Sequence, residues 1–172
     1  IFTSAFIASK DSPSDFLQAK ALTEEHLCTS SMPYTILAPN AFLESWAGMI
    51  VGGPLREGQA VTLVGKARRK HSFISMDDVA AFAAAAVDHP LAKNRRLVIG
   101  GPEAISWRDV IAACEKALGR KLPVRFVAPG EPMPGQREGI AALMAAMESY
   151  DSVMDMTEIA RSFGVELTPL PV

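Results

Sequence analysis

Short apolar runs alternate along this chain with longer stretches in which apolar residues recur at helical spacing. Residues 1–6 are apolar and rich in β-formers and predict a strand. A polar loop over 9–14 follows, with Ser14 or Asp15 placed to cap a helix. In that helix Phe16, Leu17, Ala21, Leu22 and Leu27 keep helical spacing, while Lys20, Glu24 and Glu25 mostly turn elsewhere. Residues 29–33 end it. The run 34–38 is of the kind buried in a parallel sheet, and strand, helix, strand in that order form a βαβ unit. Residues 40–51 predict an amphipathic helix carrying Phe42, Leu43, Trp46, Met49 and Ile50, broken by Gly52-Gly53-Pro54.

Downstream, residues 60–64 and 72–75 predict two strands around the basic stretch Lys66-Ala67-Arg68-Arg69-Lys70, which reads as a solvated hairpin turn before a polyanion-binding patch. Asp77 is placed to cap an alanine-rich helix over 78–88, which His89-Pro90 terminates. Residues 96–99 predict another short strand, stopped by Gly100-Gly101-Pro102. Ser106 is placed to cap a helix over 107–118, with Gly119 as its left-handed stop. A strand over 124–127, a breaker-rich loop over 129–134, an Ala/Met helix over 136–150, a short helix over 156–163 and a proline-rich tail complete the pattern. The fold class is α/β with parallel-sheet character, followed by a smaller α+β region.

At 172 residues the chain is long enough to bury a core of its own. A net charge of −2 argues against a nucleic-acid partner, which calls for a basic excess. Cys28 and Cys114 lie too far apart for a zinc motif and form no disulfide framework, and free thiols suit a cytoplasmic protein. No apolar run reaches the ~18–20 residues that span a bilayer, so no membrane partner is expected. His26, His71 and His89 are scattered and predict no metal site. Asp77-Asp78 point different ways from a helix start and read as capping residues rather than an acid/base pair.

The runs FLQAKALTEEHL, SSMPYTILAPNAFLESW, HSFISMDDVAAFAAAAV and LVIGGPEAISWRDVIAACEKALGRKLPVRFV, in that order, resemble the atypical short-chain dehydrogenase/reductases. Within them the chain is most similar to the NmrA-like, NAD(P)H-binding branch that includes quinone- and isoflavone-reductase relatives. The resemblance implies a Rossmann-like doubly wound parallel sheet, of which residues 1–100 would be the second half. Residues 101–172 would then be a small substrate-binding region packed on it. It also implies NADP or NAD as cofactor and hydride transfer to a small apolar acceptor such as a quinone or an enone. No glycine-rich phosphate turn follows any strand here. At ~30 residues per βα unit, roughly 100 residues of nucleotide-binding half are expected upstream. A homodimer, another partner or those further residues would cover the open sheet edge. The competing readings are a non-catalytic dinucleotide-binding regulator or assembly protein, and a protein-interaction domain that binds no nucleotide.

The same resemblance assigns candidate site residues. Ser4 matches the serine that polarises a substrate carbonyl, and Lys20 the lysine that holds the ribose. The position of the proton-donating tyrosine is Phe16, which cannot titrate, a departure common in this branch. Pro39, Asn40 and Phe42 would lie beside the nicotinamide, with Ala38 where relatives often carry arginine. Phe6, Trp46 and Met49 would line an apolar acceptor pocket. Read from the residues alone, Lys20 is a solvated helix lysine, Ser4 a strand-end serine and Asn40 a helix cap, and the three pocket residues are ordinary core.

Overall fold

The computed structural model describes residues 1–136 and 138–170; the expected helix over 136–150 and the proline-rich tail each include a residue outside that set. Contacts divide the chain into two compact units. Ile1–Phe42, Phe73–Pro102 and Met154–Thr168 form the first, and Leu43–Ser72 with Glu103–Val153 form the second. Each unit is drawn from separated stretches of sequence, because a strand of the first sheet is supplied only after the excursion through 43–72.

The first unit holds β1 (Phe2–Thr3), α1 (Asp15–Thr29), β2 (Thr35–Pro39), α4 (Met76–Ala85), β4 (Arg95–Ile99) and α7 (Thr157–Phe163). Its strands lie parallel in the order β1-β2-β4, with Phe2 opposite Ile36, Ile36 opposite Arg96 and Pro39 opposite Ile99. All five residues of β2 are buried, as a central parallel strand requires. Alternation sends Leu37, Leu97 and Ile99 to one face, where they meet Val79 and Phe82 of α4 and Ala160 and Phe163 of α7. Ile36 and Arg96 face the other way, and Glu24 of α1 pairs with Arg96 there. Helices on both faces make the sheet doubly wound. The expected strand over 1–6 shrinks to two residues, although Ser4 N–H to Leu37 O at 2.7 Å and Phe6 N–H to Pro39 O at 2.8 Å continue the ladder.

Residues 72–75 are not a strand. Ile74 makes an isolated bridge to Phe42, and Ser75 caps α4 by accepting from Asp77 N–H. Ser75 therefore displaces the expected Asp77 as cap, because its hydroxyl reaches the amide two residues on. Asp77 and Asp78 fill the first turn, where the helix dipole favours acids. Asp78 is buried and accepts from Thr168 N–H at 2.9 Å and Thr168 O–H at 2.8 Å.

The second unit holds α2 (Leu43–Ala47), a π-helical turn (Gly48–Gly52), α3 (Gly53–Arg56), β3 (Val61–Val64), α5 (Trp107–Leu118), β5 (Val124–Val127) and α6 (Glu138–Met147). Strands β3 and β5 pair in parallel. The expected break at Gly52-Gly53-Pro54 does not occur. Pro54 falls in the first turn of α3, where a missing N–H costs nothing, and the chain stays helical to Arg56. Helix α5 is closed as its sequence implies, by a reciprocal Ser106–Asp109 capping box and by Gly119 at φ 64°.

The basic stretch is no hairpin turn. Lys70 pairs with Asp109 at 2.6 Å and Arg69 with Asp151 at 3.2 Å, while the Lys66 and Lys70 amides donate to Glu148 and Asp151. Acids up to 82 residues away in sequence hold it. Beside it, buried His71 spans Ser152 Oγ at 2.7 Å and Met147 O at 3.1 Å, with the Tyr150 ring edge-on.

Candidate functional site

In a parallel α/β sheet, ligands bind beyond the carboxyl ends of the strands. In the first unit these ends are Ser4 after β1, Asn40 after β2 and Gly100-Gly101 after β4. A separate cavity of about 760 Å³, lined by Tyr34, Thr35, His89 and Lys93 among others, opens at the amino end of β2, away from these groups.

Lys20 sits in the second turn of α1, and its Nζ donates to Thr3 O at 2.7 Å. The ammonium lies 4.9 Å from the Phe2 ring centroid and 5.4 Å from that of Phe16. Such contacts hold a flexible lysine stem against the strand end. Phe16, one turn earlier, is 64% exposed. It stands where a proton donor is expected and carries none.

Ser4 is next to the carbonyl that Lys20 holds, so the structure brings these two candidates together. Only 6% of Ser4 is exposed, and its hydroxyl donates to the Glu24 carboxylate. Glu24 is also paired with Arg96 Nε at 2.8 Å, and another guanidinium nitrogen of Arg96 donates to Ala5 O at 3.1 Å and Phe6 O at 3.3 Å. These two charged residues went unrecognised in the sequence. One signal was present, that Glu24 lies four residues after Lys20 on one helix face; Arg96 gave none, because its place beside Ile36 comes only from the pairing of β2 and β4.

Pro39 O accepts from Phe6 N–H, which ties the segment after β1 to the end of β2. Asn40 is buried; its N–H donates to Ile99 O at 2.8 Å, and its Oδ1 accepts from Ala41 N–H at 2.8 Å. Phe42 is half-buried and bridges Ile74. Phe6 belongs to this unit, whereas Trp46 and Met49 belong to the second. There the Trp46 ring lies 6.5 Å from that of Trp107, and Met49 O accepts from Gln136 Nε2 at 2.9 Å.

These groups can do specific things. An ammonium has three donors, and Thr3 uses one, so Lys20 can also hold a diol. That ammonium, at the carboxyl end of a parallel sheet, fits the ribose diol of a dinucleotide. Among the described residues no group of acids, histidines and cysteines could hold a metal ion, and no helix is long and apolar enough to cross a membrane.

The chain is similar to known reductases and to a dehydrogenase. A bifunctional pinoresinol-lariciresinol reductase from Linum corymbulosum is 32% identical over 100 residues, covering 54% of this chain and 30% of that protein. An agroclavine dehydrogenase from Claviceps fusiformis is 31% identical over 142 residues, covering 80% of this chain and 49% of that protein. The chain thus spans half or less of the length of these relatives. Among solved structures, an NADPH-dependent quinone oxidoreductase from Escherichia coli superposes with a TM-score of 0.75 at 19% identity, over 98% of this chain and 63% of that one. Its Rossmann-like fold is shared. The model of the NmrA-like family matches residues 2–171, and the chain belongs to that family.

Proposed function

We propose that the protein is an NAD(P)H-dependent oxidoreductase that moves hydride to a small apolar acceptor such as a quinone or an enone. The observation that carries this reading is the Lys20 ammonium, held at the carboxyl end of the parallel sheet by Thr3 O. From there it can hold the ribose hydroxyls. The names of the relatives, reductases and a dehydrogenase, point the same way. When bound, the dinucleotide supplies the hydride. Phe16 has no proton to give; hydride transfer leaves the acceptor as an anion, which takes its proton from solvent once it is released. Rate then depends on positioning: Lys20 orients the ribose, and the 39–42 segment walls the ring, with Phe42 excluding water from it. No glycine-rich turn lies in these residues, so they are assigned the nicotinamide and acceptor side alone.

Phe16 favours a second reading, a dinucleotide-binding regulator that keeps the fold without turnover. Titrating the intact protein with NADPH, then following its oxidation over a quinone panel, separates the two. Tight binding with a flat rate would sink the enzyme reading, and absence of binding would sink both.

A further inference from the structure

We infer that Glu24 and Arg96 are positioning residues that act through Lys20, and that Ser4 is their anchor rather than a group that touches the acceptor. The inference rests on the reading of Lys20 above. A serine hydroxyl has one proton to donate, and polarising a carbonyl requires that proton. In this structure it goes to the Glu24 carboxylate. Ser4 is also 6% exposed, which leaves an acceptor little surface to meet. Its geometry is that of a tether.

The tether has a direction. Lys20 and Glu24 lie one turn apart on the same face of α1, and they grip consecutive residues of the β1 strand end, Thr3 and Ser4. Two adjacent grips fix the rotation of α1 about its axis, which a single contact cannot do. Arg96 reaches from β4 and closes the arrangement: its Nε holds Glu24, and its other arm holds the carbonyls of Ala5 and Phe6. The pair is shielded, with 16% of the Glu24 side chain and 33% of that of Arg96 exposed. The planar guanidinium fork can hold a carboxylate and two carbonyls at once, which an ammonium cannot do in the same geometry. The result is a lysine on a long, flexible stem that keeps its ammonium at the sheet end before any ligand arrives.

A double-mutant cycle on NADPH affinity of the intact protein tests this, read by fluorescence titration with thermal melting as a fold control. Lys20→Ala should weaken binding about tenfold, as loss of a charged hydrogen bond does. Glu24→Gln should weaken it about threefold, and the double variant should bind no worse than Lys20→Ala alone. An additive double variant overturns the inference while leaving the reading of Lys20 intact. Unchanged affinity in Lys20→Ala overturns both. Ser4→Ala should weaken NADPH binding about as much as Glu24→Gln, with no further loss when combined with Lys20→Ala; unchanged affinity, or a loss of turnover of about a hundredfold at saturating NADPH as for a carbonyl-polarising donor, overturns the anchor assignment. Should Glu24→Gln not fold, Arg96→Lys keeps the charge, removes the fork and enters the same cycle.

Discussion

Replacing Gly101 with alanine would set a methyl carbon 2.0 Å from the carbonyl oxygen of Phe73 and 3.1 Å from its carbonyl carbon. Both neighbours are backbone, so no side chain can swing aside. Real contacts of this kind do not fall below 3.0 Å, so the two backbone segments must part by at least about 1 Å. They have little room, because Phe73 is 4% exposed and Ile74 and Ile99 are fully buried. The cost falls at the upper end of overpacking, about 3 kcal/mol. Gly119→Ala provides the contrast: its φ is +64°, but nothing lies within 4 Å of the added carbon. Only backbone strain remains there, about 1 kcal/mol. Equilibrium urea unfolding measures both, and amide exchange at Leu37 and Ile99 localises the first loss to its own unit. A Gly101→Ala variant no less stable than Gly119→Ala would refute the close-approach argument.

Three further outcomes are expected. Asp78→Ala removes the buried carboxylate that takes both Thr168 donors, and because Thr168 itself is exposed to water the loss in thermal or urea unfolding should be about 1.5 kcal/mol; no loss at all would refute the contact's role in holding the 154–168 segment. The Lys70 side chain and the Ser106 amide hold the Asp109 carboxyl at about 2, below its ordinary 3.8. Its contribution is therefore present above 3.8 and lost as pH falls toward 2, and Asp109→Asn should flatten stability against pH in that window, more weakly in high salt because the pair is exposed. Burial pushes His71 below its ordinary 6.5. As pH falls below 6.5 the unfolded chain takes a proton that native His71 resists, so stability declines, and His71→Gln should remove that slope in pH-dependent denaturation.

Legibility in the sequence followed the range of the interaction. The ends of α5 were readable because Ser106, Asp109 and Gly119 act on amides and carbonyls within a turn of themselves. Buried β2 was readable because an unbroken apolar run has few other uses. The basic stretch misled because the acids that neutralise it come from far along the chain, and no local window contains them. Residues 72–75 misled in the same way: a β-rich run became a bridge and a helix cap once Phe42 and Asp77 were its neighbours.

The candidate site divides along the same line. Sequence alone determined most of the elements and the family they resemble, and that resemblance, not the spacing of the residues, paired Ser4 with Lys20. Tertiary structure alone decided what those side chains can do. Closing a parallel sheet brings β4 beside β2, which delivers Arg96 to Glu24, and Glu24 then takes the single proton that Ser4 has to offer. A residue's type sets its inventory of donors and acceptors, but only its neighbours decide which of them are already spent.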